Sequence, residues 1–85
     1  METDWIRRLK QDDETALCEI IRKYTGYVYT ILRNFSHGTL PQEDLEELTA
    51  DVFLRLWNNR NRLRDGSELA PYLAAIARNG VKNRF

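Results

Sequence analysis

Apolar residues recur along this chain at three- and four-residue steps, the period of helices rather than of strands. Trp5, Ile6 and Leu9 form a short stripe that predicts a first helix over about 3–11. The cluster Asp12-Asp13-Glu14 then offers an N-cap and first-turn carboxylates for a second helix. That helix, over 13–35, carries Leu17, Ile20, Ile21, Tyr24, Val28, Ile31, Leu32 and Phe35 on one side, and Gly26 weakens it only locally. Residues 36–41, Ser-His-Gly-Thr-Leu-Pro, break the period. Pro41 with Glu43 and Asp44 behind it reads as the first turn of a third helix over 41–59.

In the third helix Leu45, Leu48, Val52 and Leu56 share a side, flanked by Phe53 and Trp57, and are predicted core. A polar, basic stretch follows, with a turn at Asp65-Gly66 and Ser67 placed to cap a fourth helix over 67–84. Pro71 lacks an N–H and is tolerated only near that helix's first turn. The apolar side of the fourth helix is read as Leu69, Tyr72, Leu73, Ile76 and Gly80, and its far side as Pro71, Ala74, Ala75, Arg78 and Lys82, with Asn79 at the margin. There is no strand signal and no internal repeat. The predicted class is all-α, a compact bundle of about four helices forming a single domain over 1–85.

Composition narrows this further. With 42% apolar and 31% charged residues the chain has material for a core and a polar surface, which argues against disorder. No apolar run reaches membrane-span length, and the N-terminus lacks the basic-then-apolar order of a signal peptide, so a cytoplasmic protein is expected. Cys18 and His37 each stand alone, without CxxC or HxxxH spacing, so neither a metal nor another cofactor is expected. Cys18 reads as a small residue at the edge of the core.

Net charge is zero, but the average hides a segregation. Residues 1–35 carry six basic and six acidic side chains. Residues 36–53 carry Glu43, Asp44, Glu46, Glu47 and Asp51 and no Lys or Arg, a balance of minus five. Residues 54–85 set Arg55, Arg60, Arg62, Arg64, Arg78, Lys82 and Arg84 against Asp65 and Glu68, a balance of plus five. Either two differently charged surfaces serve two partners, or the two segments neutralise each other.

The third helix sharpens the first alternative. Its polar side collects Glu43, Glu47, Ala50, Leu54 and Asn58, with Asp51 at the edge, so a leucine stands among carboxylates. One exposed leucine is ordinary; bordered by acids on a polar face it also fits a docking ridge. The basic loop and fourth helix form an electrostatic footprint suited to nucleic acid, and two small alanines leave room for close approach. Catalysis is not expected. Asp44, Glu46, Glu47 and Asp51 spread around a solvated helix rather than clustering, and there is no GxGxxG or P-loop. Tyr24, Tyr27 and Tyr29 could stack bases, although helical spacing favours core packing.

Two stretches carry a family resemblance. The run Glu47-Leu48-Thr49-Ala50-Asp51-Val52-Phe53-Leu54-Arg55-Leu56-Trp57 is similar to the Gln-Glu-Val-Phe-Leu-Arg-Leu-Trp stretch of region two in bacterial RNA polymerase sigma factors of the extracytoplasmic function group. Tyr72-Leu73-Ala74-Ala75-Ile76-Ala77-Arg78-Asn79 is similar to that group's Trp-Leu-x-x-Ile-Ala-Arg-Asn signature. The segment from Asp13 to Tyr29 also resembles the start of the domain, so the likeness runs to Phe85 over nearly the whole chain.

The resemblance implies a sigma region-two fold, with no enzymatic activity. It implies that Glu47, Ala50, Asp51, Leu54 and Asn58 face the coiled-coil clamp of the polymerase largest subunit. It further implies that Arg62, Arg64, Ser67, Tyr72, Arg78, Asn79 and Lys82 contact, or support contacts to, the single-stranded non-template minus-ten element of promoter DNA. Three departures stand out: Ala50 replaces a glutamine and removes one polar clamp contact, Tyr72 replaces a tryptophan, and Asn83 replaces an aspartate. No helix-turn-helix region for the minus-thirty-five element is present, so an isolated or truncated domain is expected. The rival reading is a helical protein-interaction module whose basic end binds an acidic partner such as an anti-sigma protein, without DNA binding.

Overall fold

Four amphipathic stripes must be buried together, and around one long helix each can reach the others. The computed structural model describes residues 2–84. Its helices are α1 (Glu2–Lys10), α2 (Glu14–Phe35), α3 (Gln42–Asn58) and α4 (Leu69–Lys82), with one 3₁₀ turn, Arg60–Arg62, between α3 and α4. There is no strand among the described residues, and Phe85 lies outside them. The central helix α2 packs against α1, α3 and α4, and α3 packs against α4. The all-α fold class is therefore as expected.

Burial follows the predicted stripes in α2 and α3. Ile20, Val28 and Leu32 of α2 are fully buried, Tyr24 nearly so, and Leu45, Leu48, Val52, Phe53 and Leu56 of α3 join them. Each such side chain contributes about 1.5–3 kcal/mol by leaving water. From α1, Ile6 and Leu9 are fully buried, which fixes that short helix to the bundle. Asp13 caps α2, its Oδ1 accepting from the Thr15 N–H at 2.9 Å.

Several local expectations are corrected. Phe35, the last residue of α2, is exposed: the buried i, i+4 stripe passes from Leu32 to Ser36, and Phe35 lies about 100° to its side. Cys18 is exposed; it sits two residues from both Ala16 and Ile20 of the buried stripe, about 200° around the helix from either. Ala74 is buried rather than on the far side, and Ala77 and Val81 complete an i, i+4 stripe with Leu69 and Leu73. Of the three clustered tyrosines only Tyr24 is buried, while Tyr27 is exposed and Tyr29 half-buried.

Ser67 does not cap α4. The preceding residue, Gly66, takes φ +85°, and the Ser67 N–H closes that turn on the Arg64 carbonyl at 3.1 Å. The helix starts two residues later, with Glu68 as an N-cap whose side chain makes no capping bond. Pro71 is then its third residue, inside the first turn, where no N–H is required.

Candidate functional site

The α3 face is as the sequence reading drew it. Glu43, Glu47, Ala50, Asp51, Leu54 and Asn58 are all exposed. Leu54 is the most open large apolar side chain among the described residues, at 56% exposure. Beside it runs a groove of about 430 Å³ between α2 and α3, walled by Leu17 and Ile21 on one side and by Ala50, Phe53, Leu54 and Trp57 on the other. Sequence reading placed Leu17 and Ile21 in the core stripe; their half-exposed position at its edge is what opens the groove. Ala50 matters here, because a methyl group leaves the groove uncovered where a longer side chain would reach across it.

The second surface comprises the α3–α4 connection and the outer side of α4. Arg62, Arg64, Arg78, Asn79 and Lys82 are exposed, and none of the four cations among them is in an ion pair among the described residues. Arg78 and Lys82 lie one turn apart. Tyr72 is half-buried and packs against the core, so only part of its ring is open to a ligand. Ser67 is half-buried in the turn before α4.

Other charges are consumed inside the molecule. Arg8 bridges Asp13 at 2.8 Å and Glu19 at 2.9 Å, and the Trp5 indole N–H also reaches Glu19 at 3.3 Å. The Arg8 hydrogen bond is the main reason both carboxyls titrate below their ordinary range; for Glu19 the Trp5 N–H adds to it. The same two bonds, Glu19 first, push the Arg8 guanidinium further up. Arg60 pairs with Asp12 at 2.6 Å and Lys10 with Asp65 at 3.3 Å.

Among the described residues, cross-neutralisation of the acidic and basic segments is confined to one side chain. Arg84 reaches Glu47 at 2.8 Å and Asp44 at 3.8 Å, so Glu47 is exposed but already paired. Asp51 has no such partner among the described residues; it lines a pocket of about 180 Å³ at the α3–α4 seam with Arg55, Gly80, Asn83 and Arg84. Sequence reasoning missed this Arg84 bridge, the groove, and the ties at Asp12 and Lys10. No cluster of His, Cys, Asp or Glu suited to a metal occurs among the described residues, and no helix is long and apolar enough to cross a membrane.

The described residues thus form an all-α bundle with an acidic, leucine-bearing ridge on α3 and exposed, unpaired cations on the α3–α4 connection and α4. The family model for sigma-70 region 2 matches residues 20–85. The chain therefore belongs to the sigma-70 region 2 family, whose domains act in transcription by binding core RNA polymerase and recognising the promoter minus-ten element. No curated protein and no solved structure matches the chain.

Proposed function

We propose that the chain is a promoter-recognition domain of the extracytoplasmic function type, working in the cytoplasm and having no enzymatic activity. In this reading α3 docks on the coiled-coil clamp of the polymerase largest subunit through Leu54, Ala50, Asp51 and Asn58, with Glu47 released from Arg84 on contact. The α3–α4 connection and α4 hold the non-template strand of the minus-ten element. Arg62, Arg64, Arg78 and Lys82 neutralise phosphates, Asn79 hydrogen-bonds to the strand, Ser67 shapes the turn, and Tyr72 supports an unstacked base. The observation that carries the reading is a cluster of exposed cations: Arg62, Arg64, Arg78 and Lys82, none of them in an ion pair among the described residues, all fall on the α3–α4 connection and α4.

Unstacking a base costs a few kcal/mol and stacking on an aromatic returns about 1–3, so a single strand, already open, is the preferred ligand. Fluorescence anisotropy on matched single- and double-stranded minus-ten probes tests this. Tighter binding to the single strand is expected, with Tyr72→Ala narrowing the preference while the fold persists by circular dichroism. Equal affinity for both probes removes the capture model. The groove beside Leu54 suits a protein partner as well; in the rival reading the basic end binds an acidic anti-sigma-type protein, without DNA binding. Pull-down of core polymerase at moderate salt decides between them, succeeding only under the first.

A further inference from the structure

We propose that Asp12 is a positioning residue for the α3–α4 connection, gripping Arg60 so that the neighbouring Arg62 and Arg64 stay free for nucleic acid; the inference rests on the reading of that connection as a single-strand contact. Asp12 takes φ +62°, a left-handed conformation that aspartate tolerates, with its N–H donating to the Leu9 carbonyl at 2.9 Å. Its Oδ1 accepts from Arg60 Nε at 2.9 Å and from Nη2 at 2.6 Å. Arg60 uses its remaining nitrogen too. Nη1 donates to the Trp57 carbonyl at 2.8 Å, and the guanidinium carbon lies 4.0 Å from the centroid of the Trp57 ring. All three guanidinium nitrogens are thus engaged within the protein, three of the five N–H donors being used, and the side chain is committed to this corner.

Two further anchors complete the hold. Leu63 is buried, and Asp65 accepts from Lys10 Nζ at 3.3 Å. The connection is pinned at residues 60, 63 and 65, and the positions between, Asn61, Arg62 and Arg64, are exposed. The anchoring corner is itself rigid: Ile6 and Leu9 are fully buried, and Arg8 ties α1 to Asp13 and Glu19. With 69% of its side chain exposed, Asp12 contributes little to global stability through this pair. Its effect falls on binding, because a segment already ordered loses less freedom when a ligand arrives.

The test uses Asp12→Asn, which removes the charge while keeping a residue type that accepts the left-handed backbone. Hydrogen exchange of the amides of residues 61–65 is expected to accelerate severalfold. Affinity for a labelled mixed-sequence single-stranded oligonucleotide should fall about two- to fivefold, the range of an exposed ion pair. In an Arg60→Gln background the same substitution should change neither quantity, because Asp12 acts through Arg60. Equal losses in both backgrounds, or unchanged exchange in the parent background, overturn the proposal. If the parent chain binds no single strand, the nucleic-acid reading falls, and the exchange comparison alone decides whether Asp12 holds the connection.

Discussion

In the α1–α2 corner, charged side chains are matched to one another: Arg8 with Asp13 and Glu19, Asp12 with Arg60, Lys10 with Asp65. Fifty residues later the pattern inverts, and Arg62, Arg64, Arg78 and Lys82 stand exposed without an opposite charge among the described residues. Both regions are rich in arginine and lysine, so composition cannot tell them apart. What separates them is how many cations meet a carboxylate: in the corner Arg8 and Lys10 do while Arg7, Arg22 and Lys23 do not, whereas Arg62, Arg64, Arg78 and Lys82 all lack one among the described residues. A cation that is already paired must lose that partner before it can hold a phosphate, whereas an unpaired one only releases water and counterions.

The largest expected effect breaks the comparison at its middle, on α3, where acids surround an apolar side chain. Leu54→Glu should abolish capture of core polymerase in a pull-down. At 56% exposure the residue lies outside the core, so the melting curve should shift by no more than the roughly 0.5 kcal/mol typical of surface changes. A collapse of thermal stability would instead make Leu54 a packing residue.

A smaller effect separates paired from unpaired cations directly. Replacing Arg78 and Lys82 together by alanine should lower the slope of log affinity against log salt by about 1.5 and weaken all DNA sequences alike. Arg8→Met, in the paired corner, should leave the slope where it was. Equal slopes for the parent chain and the double variant would place Arg78 and Lys82 outside the interface.

The smallest effect concerns acid. The carboxyls of Asp13 and Glu19 titrate below their ordinary values of 3.8 and 4.5 because Arg8 hydrogen-bonds their charged forms. Their folded-state values are depressed, so the stabilisation is complete above that ordinary range and is lost as pH falls through and below it. Urea midpoints measured between about pH 6 and pH 2.5 should decline on the acid side, and Arg8→Met should flatten that decline. An identical acid limb in the variant would show that the bridge contributes nothing.

How much of this was legible in the chain depends on how far each interaction reaches. The register of α3 was readable because Leu45, Leu48, Val52 and Leu56 alternate with acids at local spacing, and that alone puts Leu54 outside. A cap within Asp12-Asp13-Glu14 was readable for the same reason, and the structure makes it Asp13. In α4 the pattern is weaker: alanines at 70, 74, 75 and 77 do not declare a face, and the burial of Ala74, Ala77 and Val81 emerges only from the packing. Ser67 failed as a cap because Gly66 turns the backbone one step earlier. The ties that organise the site, Asp12 to Arg60 and Arg84 to Glu47, join residues 48 and 37 positions apart. Nothing local encodes such pairs, and any acid could have met any base.

The long reach of those ties also orders the assembly of the molecule in time. Packing of α1 on α2 can begin with the first part of the chain, since the two are joined by a three-residue turn, although α1 also meets the later 3₁₀ turn. The bonds from Lys10 and Asp12 close spans of 55 and 48 residues and must wait for Arg60 and Asp65 to be made. On a ribosome, where the chain emerges from its N-terminus, the first helix is in place well before the segment it will restrain. The α3–α4 connection is therefore among the last parts of this small bundle to take its folded shape, and a nascent chain halted before Arg60 carries the anchor with nothing yet to hold.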